Sequence, residues 1–95
     1  MKKVDFNVKF KNFKGEYSGN TTISDELALA LFNAGIPELP IEKENKYRAY
    51  NLCTRLISQN GVIELVDEDI DFLKKYCATS FSAGAFGQVL DLIGG

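Results

Sequence analysis

Val4-Asp5-Phe6-Asn7-Val8-Lys9-Phe10-Lys11 alternates without a break. Val4, Phe6, Val8 and Phe10 are apolar, and the residues between them are polar. Side chains of an extended chain point to opposite faces with period two, so this run predicts a strand with one buried face. Asn12-Phe13-Lys14-Gly15-Glu16 follows, with Gly15 as a turn residue. Tyr17 opens a second extended stretch that resumes at Thr21-Thr22-Ile23, three β-branched residues that favour a strand. The two stretches together predict an antiparallel hairpin over 3–12 and 16–23, with a bulge near Gly19.

The rest of the chain reads mainly as helix. Ser24 is a side-chain cap, and Asp25 and Glu26 suit the positive end of a helix dipole. Leu27 to Ala34 is apolar almost all round, which predicts a well-buried helix. Gly35 ends it, and Pro37 and Pro40 keep it from resuming. A second helix is expected from Ile41 or Glu42 to Gln59. Its apolar stripe is Ala49, Leu52, Cys53, Leu56 and Ile57, with Tyr50 beside it, and Asn60-Gly61 stops it. Val62 to Val66 is short and β-branched. It reads either as a third strand joining the hairpin, which we favour, or as an extended lead into the next helix.

Asp67 is the expected cap of a third helix whose stripe is Ile70, Leu73, Tyr76 and Cys77. Ser82 is the expected cap of a fourth, with Phe86, Val89, Leu90 and Ile93 on one face. Strands come first and helices mostly after, so the class is α+β: a hairpin packed against three to four helices. With 95 residues, 45% hydrophobic and 25% charged, residues 1–95 are expected to form a single domain with one core.

Composition narrows the chemistry. There is no His, so Ser24, Ser58, Ser80 and Ser82 lack an imidazole to activate them. The expectation is a non-enzyme with no cofactor. Cys53 and Cys77 fall on apolar stripes and read as reduced, buried thiols, with a single disulfide as the alternative. Two thiols without His are too few soft ligands for a metal. Asp67, Asp69 and Asp71 resemble the opening of a calcium loop, but the sixth and twelfth places hold Phe72 and Ala78 instead of Gly and Glu. Gly84 and Gly87 lack the lysine or the third glycine of a phosphate loop and read as close helix packing.

Two surfaces remain as candidates. Phe13, Tyr17, Ile36 and Leu39 lie off the main stripes and form a candidate protein interface, with Tyr47 and Phe81 in the same class. Lys9, Lys11 and Lys14 form a candidate nucleic-acid face. It lacks interleaved aromatics, because Phe6 and Phe10 point the other way, and exposed strand lysines also serve to discourage sheet aggregation. A net charge of −2 makes nucleic acid the weaker partner. The longest apolar run, Leu27 to Phe32, is too short for a bilayer. Asp5, Asn7 and Lys9 interrupt any secretory signal, so the expected mature start is Met1 and the expected place is the cytoplasm.

Three stretches carry a resemblance: Val4 to Phe10 with its following turn, Gly61 to Ile70, and Phe86-Gly87-Gln88-Val89-Leu90-Asp91-Leu92-Ile93. Together they look like a group of small bacteriophage and prophage proteins, and the likeness spans most of the chain. Residues 20–24 and 80–85 depart from the group's pattern. The resemblance implies a phage setting, in which the chain would serve virion assembly, act as a chaperone-like accessory or interfere with a host protein; with the candidate interface, the expectation is a protein-interaction module. Its place would be the host cytoplasm or the virion. It brings no catalytic or binding residues with it. Self-association through the hairpin edge is a further expectation, since an unpaired strand can add a partner strand.

Overall fold

The computed structural model describes residues 1–94 and is an α+β fold. The alternating N-terminal run buries the face expected of it. Val4 and Phe6 are inside, and Val8 and Phe10 are half-buried against the core. It is two strands, however, not one. β1 (Lys2–Asp5) pairs antiparallel with β4 (Val62–Leu65), Lys2 opposite Leu65 and Asp5 opposite Val62. β2 (Lys9–Lys11) pairs antiparallel with β3 (Tyr17–Thr22).

The break between β1 and β2 has a local cause. Asp5 accepts the Asn7 N–H at 2.8 Å, and the Val8 N–H closes back on Phe6 O at 2.8 Å, which bends the chain. The bend is then tied down from outside. Phe6 N–H donates to Gly61 O (2.7 Å), and Ser24 N–H donates to Phe6 O (2.8 Å). Gly61 is buried at φ +84°, and a Cβ there would lie 3.0 Å from Asn7 N and from Ser24 Oγ. Only glycine fits against the bend. The segment expected as a third strand is one over Val62–Leu65, but it joins β1 in a separate two-stranded sheet instead of extending the hairpin. The hairpin is shorter than the expected 3–12 and 16–23, and its bulge lies near Gly19, as expected. Lys11 faces Tyr17 and Lys9 faces Thr22, leaving extra residues on β3, with Gly19 at φ +74°.

α1 (Ile23–Phe32) starts earlier than the sequence suggests. Thr22 is the cap, its Oγ1 accepting from Asp25 N–H at 3.1 Å, while Ser24 is buried. Its expected burial all round is also corrected: Leu29 and Phe32 are 59% and 67% exposed. After a 3-10 turn at Lys43–Asn45, α2 (Lys46–Ser58) buries Ala49, Leu52, Cys53 and Leu56. Tyr50 and Ile57, assigned to that stripe by spacing, are outside. The two helices are antiparallel. Ser24 and Asp25 share a groove with Leu56 and Ile57, and Gly35 lies against Lys46.

α3 (Asp67–Ser80) is capped from Val66, whose N–H donates to Asp69 Oδ2 at 3.4 Å, so Asp67 is the first helical residue and not the cap. Its buried face includes Phe72 as well as Leu73, Tyr76 and Cys77, with Ile70 at the edge. Ser82 caps α4 (Ala83–Ile93) as expected, accepting from Ala85 N–H at 3.3 Å. Lys2 Nζ donates to Ile93 O, where a cation meets the negative end of the α4 dipole. The fully buried centre is Phe6, Leu27, Leu31, Leu52, Leu56, Ile63, Leu65, Leu73, Cys77 and Val89, drawn from the bend at Phe6, from β4 and from all four helices. No helix of the described residues is long and apolar enough to cross a membrane.

Candidate functional site

The β2–β3 hairpin forms an arm of the fold, and its turn is built by one side chain. Asn12 Oδ1 accepts from the Lys14 N–H (3.0 Å) and the Glu16 N–H (3.1 Å). Asn12 N–H donates to Glu16 O, and Gly15 N–H to Asn12 O. Gly15 at φ +80° closes a three-residue hairpin loop of Phe13, Lys14 and Gly15. This fixed turn presents Phe13 to solvent at 95% exposure. Lys14 Nζ lies 5.8 Å from its ring centre, and Lys11 Nζ lies 5.3 Å from the Tyr17 ring. Lys9 and Lys11 are outside while Phe10 points in, as the alternation requires.

The arm is anchored to the body through α4. Gln88 Oε1 accepts the Lys11 N–H at 2.7 Å, and Gln88 Nε2 donates to Lys11 O at 2.9 Å. A side-chain amide thus takes both backbone groups of Lys11 that face away from β3. A strand adding to this edge would have to displace Gln88.

Of the four residues named as a protein interface, Phe13 and Tyr17 are together on the arm. Ile36 and Leu39 are in the connector after α1. The arm leads into the first residue of α1 and the connector leaves its last, so a ten-residue helix separates the two pairs. Ile36 is 43% exposed, and Leu39 is packed on the core. Among the others, Tyr47 is exposed and Phe81 is half-buried. Lys9, Lys11 and Lys14 do share the arm with the aromatics, a juxtaposition the alternation alone did not reveal.

The acidic run reads differently in three dimensions. Asp69 is buried and clamped between two arginines of α2: Arg48 Nη1 at 2.6 Å and Arg55 Nη1 at 3.6 Å. Arg55 Nη2 also donates to Glu64 O. Arg48 and Arg55 are seven residues apart and so share a helix face, and they join α2 to β4 and α3. Spacing along α2 held that signal. The partner across 21 residues did not show in the sequence. Asp67 and Glu68 remain in the exposed first turn. Gly84 and Gly87, expected to allow close helix packing, do not: a Cβ on either meets nothing within 4 Å.

Both thiols are free and buried. Burial pushes Cys53 up and Cys77 up to about 12, so neither is a ready nucleophile at neutral pH. A groove of about 290 Å³ lies between Pro40, Ile41, Phe72 and Tyr76. The charged groups on its rim, Lys75 and Glu42, pair with each other. A second, about 190 Å³, runs between Phe10 and Phe81 beneath the arm. The Tyr76 hydroxyl is turned inward, donating to Ala30 O at 2.7 Å. The chain matches no protein-family model, no curated protein and no solved structure.

Proposed function

We propose that this chain is a non-enzymatic protein-interaction module whose contact element is the β2–β3 arm. One observation carries the reading. A fully exposed Phe13 and an exposed Tyr17 are held on a turn fixed by Asn12, each with a lysine ammonium beside its ring. Apolar rings are not left in water on a rigid support without cost, and aromatic anchors flanked by cations suit an acidic protein surface. The phage or prophage setting, as a virion-assembly accessory or a host-interference factor, rests on the resemblance of the three stretches given above. Genes flanking its own test that setting: head or tail genes favour assembly, early regulatory genes favour interference.

The same ring–lysine arrangement favours a second reading, a weak nucleic-acid-binding accessory in which Phe13 and Tyr17 stack on bases and Lys9, Lys11 and Lys14 follow the phosphates. Two variants separate them. Phe13→Ala/Tyr17→Ala removes the anchors for either partner. Lys9→Glu/Lys11→Glu/Lys14→Glu abolishes retention of single-stranded DNA at low salt if the second reading holds. The first reading expects wild type to capture one defined protein, confirmed with the purified pair, and the ring variant to bind it at least tenfold more weakly. An undiminished ring variant ends the proposal.

A further inference from the structure

A second surface, on the helix pair, is more apolar than the arm. On α1, Asp25, Leu29 and Phe32 recur at i, i+4 and i+7. On α2, Lys46, Tyr50, Thr54 and Ile57 recur at i, i+4, i+8 and i+11. These stripes flank one another, since Asp25 and Ile57 line a common groove and Lys46 lies over Gly35 just past the end of α1. Leu29, Phe32, Tyr50 and Ile57 are 59%, 67%, 54% and 58% exposed, and the Tyr47 ring is 6.1 Å from that of Tyr50. At about 150–250 Å² for a large side chain, the face offers on the order of 500 Å² of apolar surface. That is the upper part of the range for a monomer's largest patch, and over half of the ~800 Å² each partner gives to a stable pair.

The charges at its ends say what covers it. Because the helices are antiparallel, Asp25 is at one end of the face and Lys46 at the other, about 16 Å apart at 1.5 Å per residue. Lys43 and Glu44, in the turn before α2, offset each other. A copy rotated by a two-fold axis that lies in the contact plane across the helices places its Lys46 on Asp25 and its Asp25 on Lys46. The apolar middles then meet. We infer that the α1–α2 face is a self-association surface that pairs two copies of this chain as an antiparallel four-helix dimer. This goes beyond the proposed binding role and uses other residues. Its consequence for that role is that the dimer carries two arms.

The test is molar mass in solution, by sedimentation equilibrium of the full chain from about 1 to 500 µM. Wild type is expected to dimerise within this range. Leu29→Lys and Ile57→Lys, both at exposed positions, are expected to weaken dimerisation at least tenfold, with circular dichroism confirming that each is folded. Asp25→Lys and Lys46→Glu are each expected to weaken it several-fold, and the Asp25→Lys/Lys46→Glu double variant to regain most of the loss, because the swap restores both symmetric pairs. Phe13→Ala/Tyr17→Ala is expected to dimerise like wild type, so loss of the arm's function leaves this result intact. A wild type that stays monomeric at 500 µM, a dimer indifferent to Leu29→Lys and Ile57→Lys, or a double swap no better than its singles overturns the inference.

Discussion

Replacing Asp69 by Asn keeps the shape of the side chain and removes the charge that α2 is built around. Its side chain is 8% exposed, with Arg48 at 2.6 Å and Arg55 at 3.6 Å from the carboxylate. A hydrogen bond to a charged group contributes about 1.5–3 kcal/mol. Losing one partner of a fully buried pair costs about 3–5 kcal/mol. Arg48 and Arg55 keep 34% and 31% of their side-chain surface in water, so water partly replaces the carboxylate, and the lower figure applies. The amide oxygen still accepts from the Val66 N–H, which leaves the start of α3 intact. We therefore expect Asp69→Asn to cost about 2 kcal/mol. With a urea slope of about 1–3 kcal/mol per M, the unfolding midpoint drops by about 0.7–2 M. A double-mutant cycle with Arg48→Met should give a coupling of at least ~1 kcal/mol. A midpoint shift under ~0.2 M, or additivity in the cycle, would refute the view that this buried pair fixes α3 on α2.

Phe6→Ala should come close to unfolding the protein. Phe6 has no exposed surface, and truncating such a residue costs about 3–5 kcal/mol, against a total of about 5–14 kcal/mol for a chain of this length. A melting temperature within two degrees of wild type would remove Phe6 from the centre of the core. Cys77 gives a pH dependence. Its folded value is raised from about 9 to about 12, so the unfolded chain ionises first. The stabilisation is complete below pH 9 and is lost as the pH rises toward 12, by up to ~1.4 kcal/mol per unit. Urea midpoints measured from pH 8 to 10.5 should fall more steeply for wild type than for Cys77→Ala, and parallel curves would contradict the burial of this thiol.

Much of the fold was legible because burial leaves periodic traces. Val4, Phe6, Val8 and Phe10 declared their inward face, Ser82 its cap, and Asn60-Gly61 its stop. What alternation does not encode is the hydrogen-bonded partner. A run with one buried face looks the same whether it lies in one sheet or passes between two, so the bend at Phe6 was hidden. One cause, the Asp5 side chain on Asn7, is local, but the other, the notch at Gly61 that ties down Phe6, is 55 residues away. Stripes were misread where a residue lies at the shoulder of a helix. Tyr50 and Ile57 fit the spacing of α2 but are exposed, and Ile57 lines the groove beside α1. Leu29 and Phe32 belong to a helix so rich in apolar residues that pattern alone could not separate its inside from its outside. Of the candidate site, composition gave the ingredients of the arm. Only the turn built by Asn12 showed that its lysines and rings are neighbours.

The pairing of β1 with β4 also governs the order in which the molecule is assembled. Hairpin and helix pair join segments close in the chain and can form as soon as they leave the ribosome. β1 must wait until Val62–Leu65 has been made, close to 60 residues later. Closing so long a loop is a slow, late event. Until then Val4 has no partner strand on the nascent chain, and its apolar side chain waits for the sheet that covers it.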